Sequence, residues 1–403
     1  AYETKVGTMF IDSPQLNGKK PKDENAMHWA AFWAMQSLLD QVYTNEGLKE
    51  FGDQLADVKF KTADYFPGKV DQPITVEPYT VKINGSYPET WGGPMFHMDR
   101  PARKPTGAYL KPGTVATVIV PKSLVDKGYQ IRVGAHSWDL QRKPRVNRLY
   151  RVTTLYDVDK TEMKVANPLG GGIYIEVPYK ADAGVVDVTI RGAARSPYFS
   201  WKSFHKTSLE DWQKVERKYQ SPWADFQSDK FMMQVPTSWI YAMDDPVSLM
   251  KNWDEAMDIM SDLMGRPRLF GREVLYTQVD TQLRGRAFHP GYPAGNRMYD
   301  PTEDYGGYHN QHLVRGPQFA HSYEMHEKGH GFLFPKYAGD REAVVNLPHV
   351  AVMNVGWGLT FDQALRSSRS ITNEFATLET TAIAWMLSDH FVGDGVMQGY
   401  ERQ

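Results

Sequence analysis

Cysteine is absent from all 403 residues of this chain. A protein without thiols forms no disulfide, which excludes the small disulfide-stapled secreted domains and fits either a cytosolic protein or a bacterial exported one. An excess of charge is also missing. With 46 Lys and Arg against 48 Asp and Glu, the chain carries no electrostatic footprint for nucleic acid. No apolar run approaches the roughly eighteen residues a membrane-spanning helix requires, so no transmembrane segment is expected. The opening Ala1-Tyr2-Glu3-Thr4-Lys5 has no hydrophobic signal core, as fits a processed mature chain or a cytosolic start. Internal repeats and low-complexity segments are absent as well.

Aromatic residues are plentiful, at 13% with 11 Trp and 22 Tyr. Carbohydrate-contacting proteins share that composition, but a large aromatic core gives it too. The length is sufficient for about two or three domains. Patterning divides the chain into three regions: 1–95, helical and then irregular; 96–196, a β-sandwich; and 197–403, mostly helical. In the first, apolar residues recur at helical steps from His28 to Val42. In the second, short β-rich runs at 115–120, 130–134, 172–177 and 185–190 are separated by Pro, Gly and Asp turns, the signature of a sandwich. Beyond Pro197 the pattern reads as mostly helical, with Asp244-Asp245-Pro246 opening a helix that runs through Trp253. The fold class expected is therefore α+β and multidomain.

The third region holds His326-Glu327-Lys328-Gly329-His330, an H-E-x-x-H sequence. Residues four apart share a helix face, so His326 and His330 can converge on one divalent cation, with Glu327 beside it. Zinc suits neutral imidazole and, with three protein ligands, keeps a position open for water whose proton a carboxylate can take. Glu342 follows His330 by twelve residues, a reach that lets a returning helix supply the third ligand. Asp340, Glu324 and His349 are rivals for that place. One helical turn beyond Glu342, Asn346 can hydrogen-bond the outer nitrogen of a ligand His. Pro348 removes a backbone donor and should kink or end the helix that carries Glu342.

Several further segments, taken with this motif, resemble the M60-like, enhancin-related metallopeptidases, a gluzincin family that includes bacterial mucinases and O-glycopeptidases. Pro105-Thr106-Gly107-Ala108-Tyr109-Leu110-Lys111-Pro112-Gly113 is similar to the family's entry into its sandwich, and Asn167-Pro168-Leu169-Gly170-Gly171-Gly172 to its Gly-Gly strand. Ser228-Asp229-Lys230-Phe231, Asp245-Pro246 and Trp253 resemble the lead-in to the catalytic domain, and His289-Pro290-Gly291-Tyr292-Pro293 its Gly-Tyr-Pro element. His326, Glu327, His330 and Glu342 fit the H-E-x-x-H…E signature, and the likeness extends over roughly residues 100 to 355.

The resemblance implies one Zn2+ per chain held by His326, His330 and Glu342, with Glu327 as general base. It also implies a mucin-like O-glycosylated protein substrate, cut beside a glycosylated Ser or Thr. Secretion or display at the surface or periplasm of a bacterium is expected with it. Two alternatives stand beside that reading: a metalloprotease indifferent to glycans, and a catalytically silent glycan adhesin on the same scaffold. Tyr292 is a candidate oxyanion donor, or else a packed ring in a turn. His289, Trp357 and Arg366 are candidate substrate contacts, Trp357 for stacking and Arg366 for hydrogen bonding to a sugar. Tyr305, Tyr308, His309 and His312 are a further candidate groove.

Overall fold

The computed structural model describes residues 22–368 except 72, 76, 89–99, 140, 142–145, 147, 269–273, 282, 284–289, 298–311, 321 and 334–340, together with 379, 380, 383 and 387. The chain enters through α1 (Ala26–Val42) and α2 (Asn45–Phe51). The Thr44 hydroxyl accepts from the Gly47 N–H and so caps the start of α2. Phe32 of α1 meets Tyr150 edge-on at 4.8 Å, and Gln36 exchanges hydrogen bonds with the Arg151 backbone. These contacts tie the leading helix to the sheets that follow.

Nine strands come next: β1 (Tyr79–Ser86), β2 (Ala102–Leu110), β3 (Val115–Ile119), β4 (Gln130–Val133), β5 (Thr154–Asp157), β6 (Glu162–Ala166), β7 (Gly171–Val177), β8 (Asp182–Arg191) and β9 (Ala194–Arg195). They form two antiparallel sheets, ordered β1-β8-β3-β6 and β5-β4-β7-β2-β9. Val81, Val118, Val188, Ile131, Ile173 and Ile175 from the two sheets share one apolar core, as in a sandwich. The first strand belongs to it although it lies before residue 96. β3 and β4 alternate buried and half-buried residues, whereas β7 is buried at every position because a third sheet covers its other face.

That third sheet corrects the expectation of a mostly helical catalytic region. Strands β10 (Tyr198–Lys202), β11 (His205–Lys206), β12 (Trp223–Ser228), β13 (Phe231–Pro236), β14 (Leu275–Asp280) and β15 (Ala294–Arg297) lie in the order β11-β10-β12-β13-β14-β15. The sheet is mixed, since β10–β12, β13–β14 and β14–β15 are parallel pairs. Strands β12, β13 and β14 are buried along their whole length, so their sequences lack the alternation that marks a half-exposed strand. After β11 come α3 (Leu209–Lys214) and, beyond β13, α4 (Pro246–Leu263), whose N-cap Asp245 accepts from the Ser248 N–H. Trp253 of α4 stacks on Phe231 of β13, with centroids 4.3 Å apart and planes 11° from parallel. Its indole N–H donates to the Leu313 carbonyl at 3.0 Å.

A polar network joins the sandwich to the third sheet. Tyr174 of β7 donates to the Asp225 carboxyl, Gln234 donates to the Tyr174 oxygen, and Gln278 donates to Gln234. His136 lies in the same junction, with Nε2 2.9 Å from the Val279 carbonyl and its ring between Phe66 and Trp223. Burial pushes this imidazole from its ordinary 6.5 down to about 4. As pH falls, the unfolded chain takes up the proton first, so stability declines from about pH 6.5 to about 4. The Tm should fall through that window, and more shallowly in His136→Gln, whatever that variant does to the Tm at neutral pH.

Candidate metal centre

Helix α6 (Ser322–His330) follows the short α5 (His312–Arg315) and carries the H-E-x-x-H residues. It lies against β15 and against the segment that returns through α7 (Arg341–Val344) and α8 (Leu347–Ala351). Both intervening positions of the motif are structural. A Cβ on Gly329 would approach Val345 Cβ to 3.0 Å and Pro348 Cγ to 3.1 Å, so glycine lets the returning segment come close. Lys328 points into the core, where its ammonium pairs with Glu324 one turn earlier and faces the Trp253 ring at 5.3 Å. Both members of that pair are almost fully buried, with 1% and 2% of their side chains exposed. Glu324 is therefore the counter-ion of Lys328, not a rival ligand.

The opposite face of α6 holds the site. One ligand atom each from His326, Glu327 and His330 lies within 4.8 Å of the others, the one such group among the described residues. The Glu342 carboxylate comes from α7, with Oε2 3.0 Å from His326 Nε2 and 3.4 Å from His330 Nε2. Asn346 Oδ1 lies 2.6 Å from His326 Nδ1 and accepts its proton, which leaves the lone pair on Nε2. Two imidazole nitrogens thus face one carboxylate oxygen, and burial holds His330 below its ordinary value and favours its neutral form. Side chains grouped in this way suit a shared cation. The donor set of two nitrogens and one oxygen fits zinc, with a position left for water. Burial first, and then the Glu342 charge, raise the Glu327 carboxyl to about 7.

Pro348 neither kinks nor ends a continuous helix, because α7 has already stopped at Val344. Asn346 stands at the N-cap position of α8 with its side chain turned to His326 rather than to the helix, and Pro348 sits in the first turn, where a missing N–H costs no intrahelical bond. Since Asn346 orients His326, Asn346→Ala should lower metal affinity about 10–100-fold while leaving the fold intact. Competition with a chromophoric chelator measures this, and unchanged affinity would remove Asn346 from the site.

Other expected contacts lie elsewhere. Tyr292 is buried, packs edge-on against Tyr276, and accepts the Arg103 backbone N–H at 2.8 Å, which favours the packed-turn reading over an oxyanion donor. Trp357 follows a π-helical turn (Val352–Gly356) and packs half-buried on the core. Arg366, on the exposed α9 (Phe361–Ser367), has its fork occupied by Asp362 and Glu379. His349 is buried on α8, where loss of water pushes it down to about 4. His289, Tyr305, Tyr308, His309 and Asp340 fall outside the described residues, as does the side chain of His312. Sequence reasoning missed the Lys328–Glu324 pair, for which the four-residue spacing of opposite charges was the available signal.

A sheet-rich region leading into a mixed α/β region with H-E-x-x-H on a helix and a carboxylate from the next helix defines a metallopeptidase scaffold. The chain belongs to the M60-like peptidases. Residues 73–191 match the N-terminal domain of M60-like peptidases, and residues 192–380 match peptidase M60, enhancin and enhancin-like. Among curated proteins it is similar to TRPM8 channel-associated factor 2 of Homo sapiens, 31% identical over 291 residues. That match covers 71% of this chain and 30% of the relative, so the chain spans under a third of its length. A functionally unknown conserved protein from Bacillus anthracis has a similar fold, with TM-score 0.56, 15% identity, and 72% and 58% of the two chains covered. The M60 catalytic domain with two CBM51 domains from Clostridium perfringens ZmpB aligns at TM-score 0.50 and 14% identity, over 81% of this chain and 38% of that one. The curated relatives from human, mouse and cattle correct the expected bacterial source and point to a eukaryotic protein. No helix among the described residues is long and apolar enough to cross a membrane.

Proposed function

We propose that this chain is a zinc-dependent endopeptidase of gluzincin type that cleaves mucin-like O-glycosylated protein beside a glycosylated Ser or Thr. The observation that carries the reading is the convergence of His326 Nε2, His330 Nε2 and the Glu342 carboxylate with Glu327 alongside. His326, His330 and Glu342 would hold the metal, and Asn346 fixes the tautomer of His326. A bound zinc would supply the Lewis acidity that polarises a scissile carbonyl and acidifies a water. Glu327, half-buried beside that group, is placed to take that water's proton and pass it to the leaving amine. The glycan preference is supported by family resemblance alone.

A second reading is favoured by one observation, the similarity to a protein named as a TRPM8 channel-associated factor. On that reading the scaffold acts by associating with a membrane channel and turnover is incidental. Incubation with a defined O-glycopeptide and its deglycosylated twin, with and without chelator, separates the possibilities. Chelator-sensitive cleavage of the glycopeptide alone is the expected result. Equal cleavage of both peptides would indicate a general metalloprotease, and cleavage of neither, by metal-loaded protein, would favour the association role.

A further inference from the structure

The turn that ends α4 delivers an arginine to the end of the metal-site helix. Gly265 stands in the left-handed region at φ 63°, and the Arg266 N–H donates to the Ser261 carbonyl at 2.9 Å, so the chain leaves the helix there. Arg266 is only 6% exposed. Its Nη1 donates at 2.8 Å to the carbonyl of Gly331, the residue directly after His330, and its guanidinium lies 5.6 Å from the Phe332 ring. Burial pushes the group from its ordinary 12.5 down to about 10, so it is still a cation at neutral pH. Salt screens a contact buried in this way very little.

The contact falls where a helix supports itself least. The last carbonyls of a helix have no intrahelical donor, and His330 is the final residue of α6. Two bonds of 2.9 Å continue the turn past it, from the Gly331 N–H to the Lys328 carbonyl and from the Phe332 N–H to the Gly329 carbonyl. The turn sits on β14, where a Cβ on Gly331 would come within 3.0 Å of Leu275 Cδ1. A guanidinium here gives the open carbonyl end a donor and complements the helix dipole. By charge alone it would oppose a metal cation nearby. Position and charge therefore predict opposite effects of removing it.

We propose that Arg266 is a positioning residue for His330: by holding the Gly331 carbonyl it orders the last turn of α6 before a metal binds. The inference rests on the metal assignment made above. Its test is zinc affinity, by competition with a chromophoric chelator on the full chain, together with amide hydrogen exchange on the metal-free protein. Arg266→Met keeps an apolar stem against Phe332 and removes both donor and charge. Zinc affinity should fall about three- to tenfold, less than the 10–100-fold typical of a group that touches a ligand directly, because Arg266 acts through the backbone. Apparent affinity falls with the fraction of chains whose turn is ordered, so the Gly331 and Phe332 amides should exchange faster in the same variant. Arg266→Lys, which restores a donor and the charge, should recover most of both. A residue that only stabilised the fold would lower the Tm and leave zinc affinity and these two amides unchanged at temperatures where the protein is folded. In the unaltered chain the same amides should be protected without metal, a measurement that stands even if Arg266→Met does not fold. Absence of zinc binding by the unaltered chain would remove the metal assignment itself. Zinc binding there, with affinity unchanged or tighter in Arg266→Met, or with Gly331 and Phe332 unprotected until zinc is added, would overturn the role of Arg266 alone.

Discussion

Glu327→Gln should lower kcat roughly 10²–10⁴-fold, the contribution of a positioned general base, while metal content stays at that of the unaltered chain. The amide preserves the size of the side chain and takes no proton from water. Glu327 is half-buried next to Glu342, and its carboxyl is raised to about 7 by burial and that neighbouring charge, so it is placed for proton transfer and not for surface solvation. The three acceptors assigned to the metal are other side chains, and His326, His330 and Glu342 remain in the variant. Metal analysis and single-turnover kinetics on the same preparation decide the point. Undiminished turnover would remove Glu327 from the chemistry, and loss of metal together with turnover would make it a ligand.

Glu324→Ala should cost roughly 3–5 kcal/mol of stability, the penalty for leaving one member of a buried ion pair uncompensated. Lys328 is 1% exposed, packed over Trp253 and Phe231, and burial already pulls its ammonium below its ordinary value. Glu324 is the carboxylate that opposes this. Denaturant unfolding would measure the loss, and the pair of substitutions Glu324→Gln with Lys328→Met should recover part of it, because no unpaired charge remains. A change within about 0.5 kcal/mol for Glu324→Ala, the range of ordinary surface substitutions, would show that solvent reaches Lys328. The expected loss bears on function as well, since these residues form the buried face of the helix whose other face presents His326 and His330.

Much of the site was legible from residue spacing. Two His four apart with Glu between them specify one helix face, and Glu342 and Asn346 lie within reach of a returning segment. The sandwich strands were legible where one face meets solvent, as in β3 and β4, because alternation records a half-buried surface. The third sheet was not. Its central strands are covered on both sides, and buried Asp225, Gln227 and Gln234 interrupt their apolar residues, so their sequences show neither strand alternation nor a continuous apolar run. Tyr292 belonged to the same blind spot, because its partner is a backbone N–H 189 residues away.

What the sequence by itself determined here is local: the H-E-x-x-H face, the capped start of α4 at Asp245, and the alternating sandwich strands. Helical and strand periodicity need no distant partner to be read. Only the tertiary structure decided that Glu342 rather than Glu324 or His349 meets the two imidazoles, that Lys328 is a buried cation, and that Arg103 and Arg132 share one carboxylate. Each of those outcomes depends on which face of an element is taken out of water by a segment remote in the chain. Removal from water is what turns an ordinary charged residue into a ligand or a counter-ion.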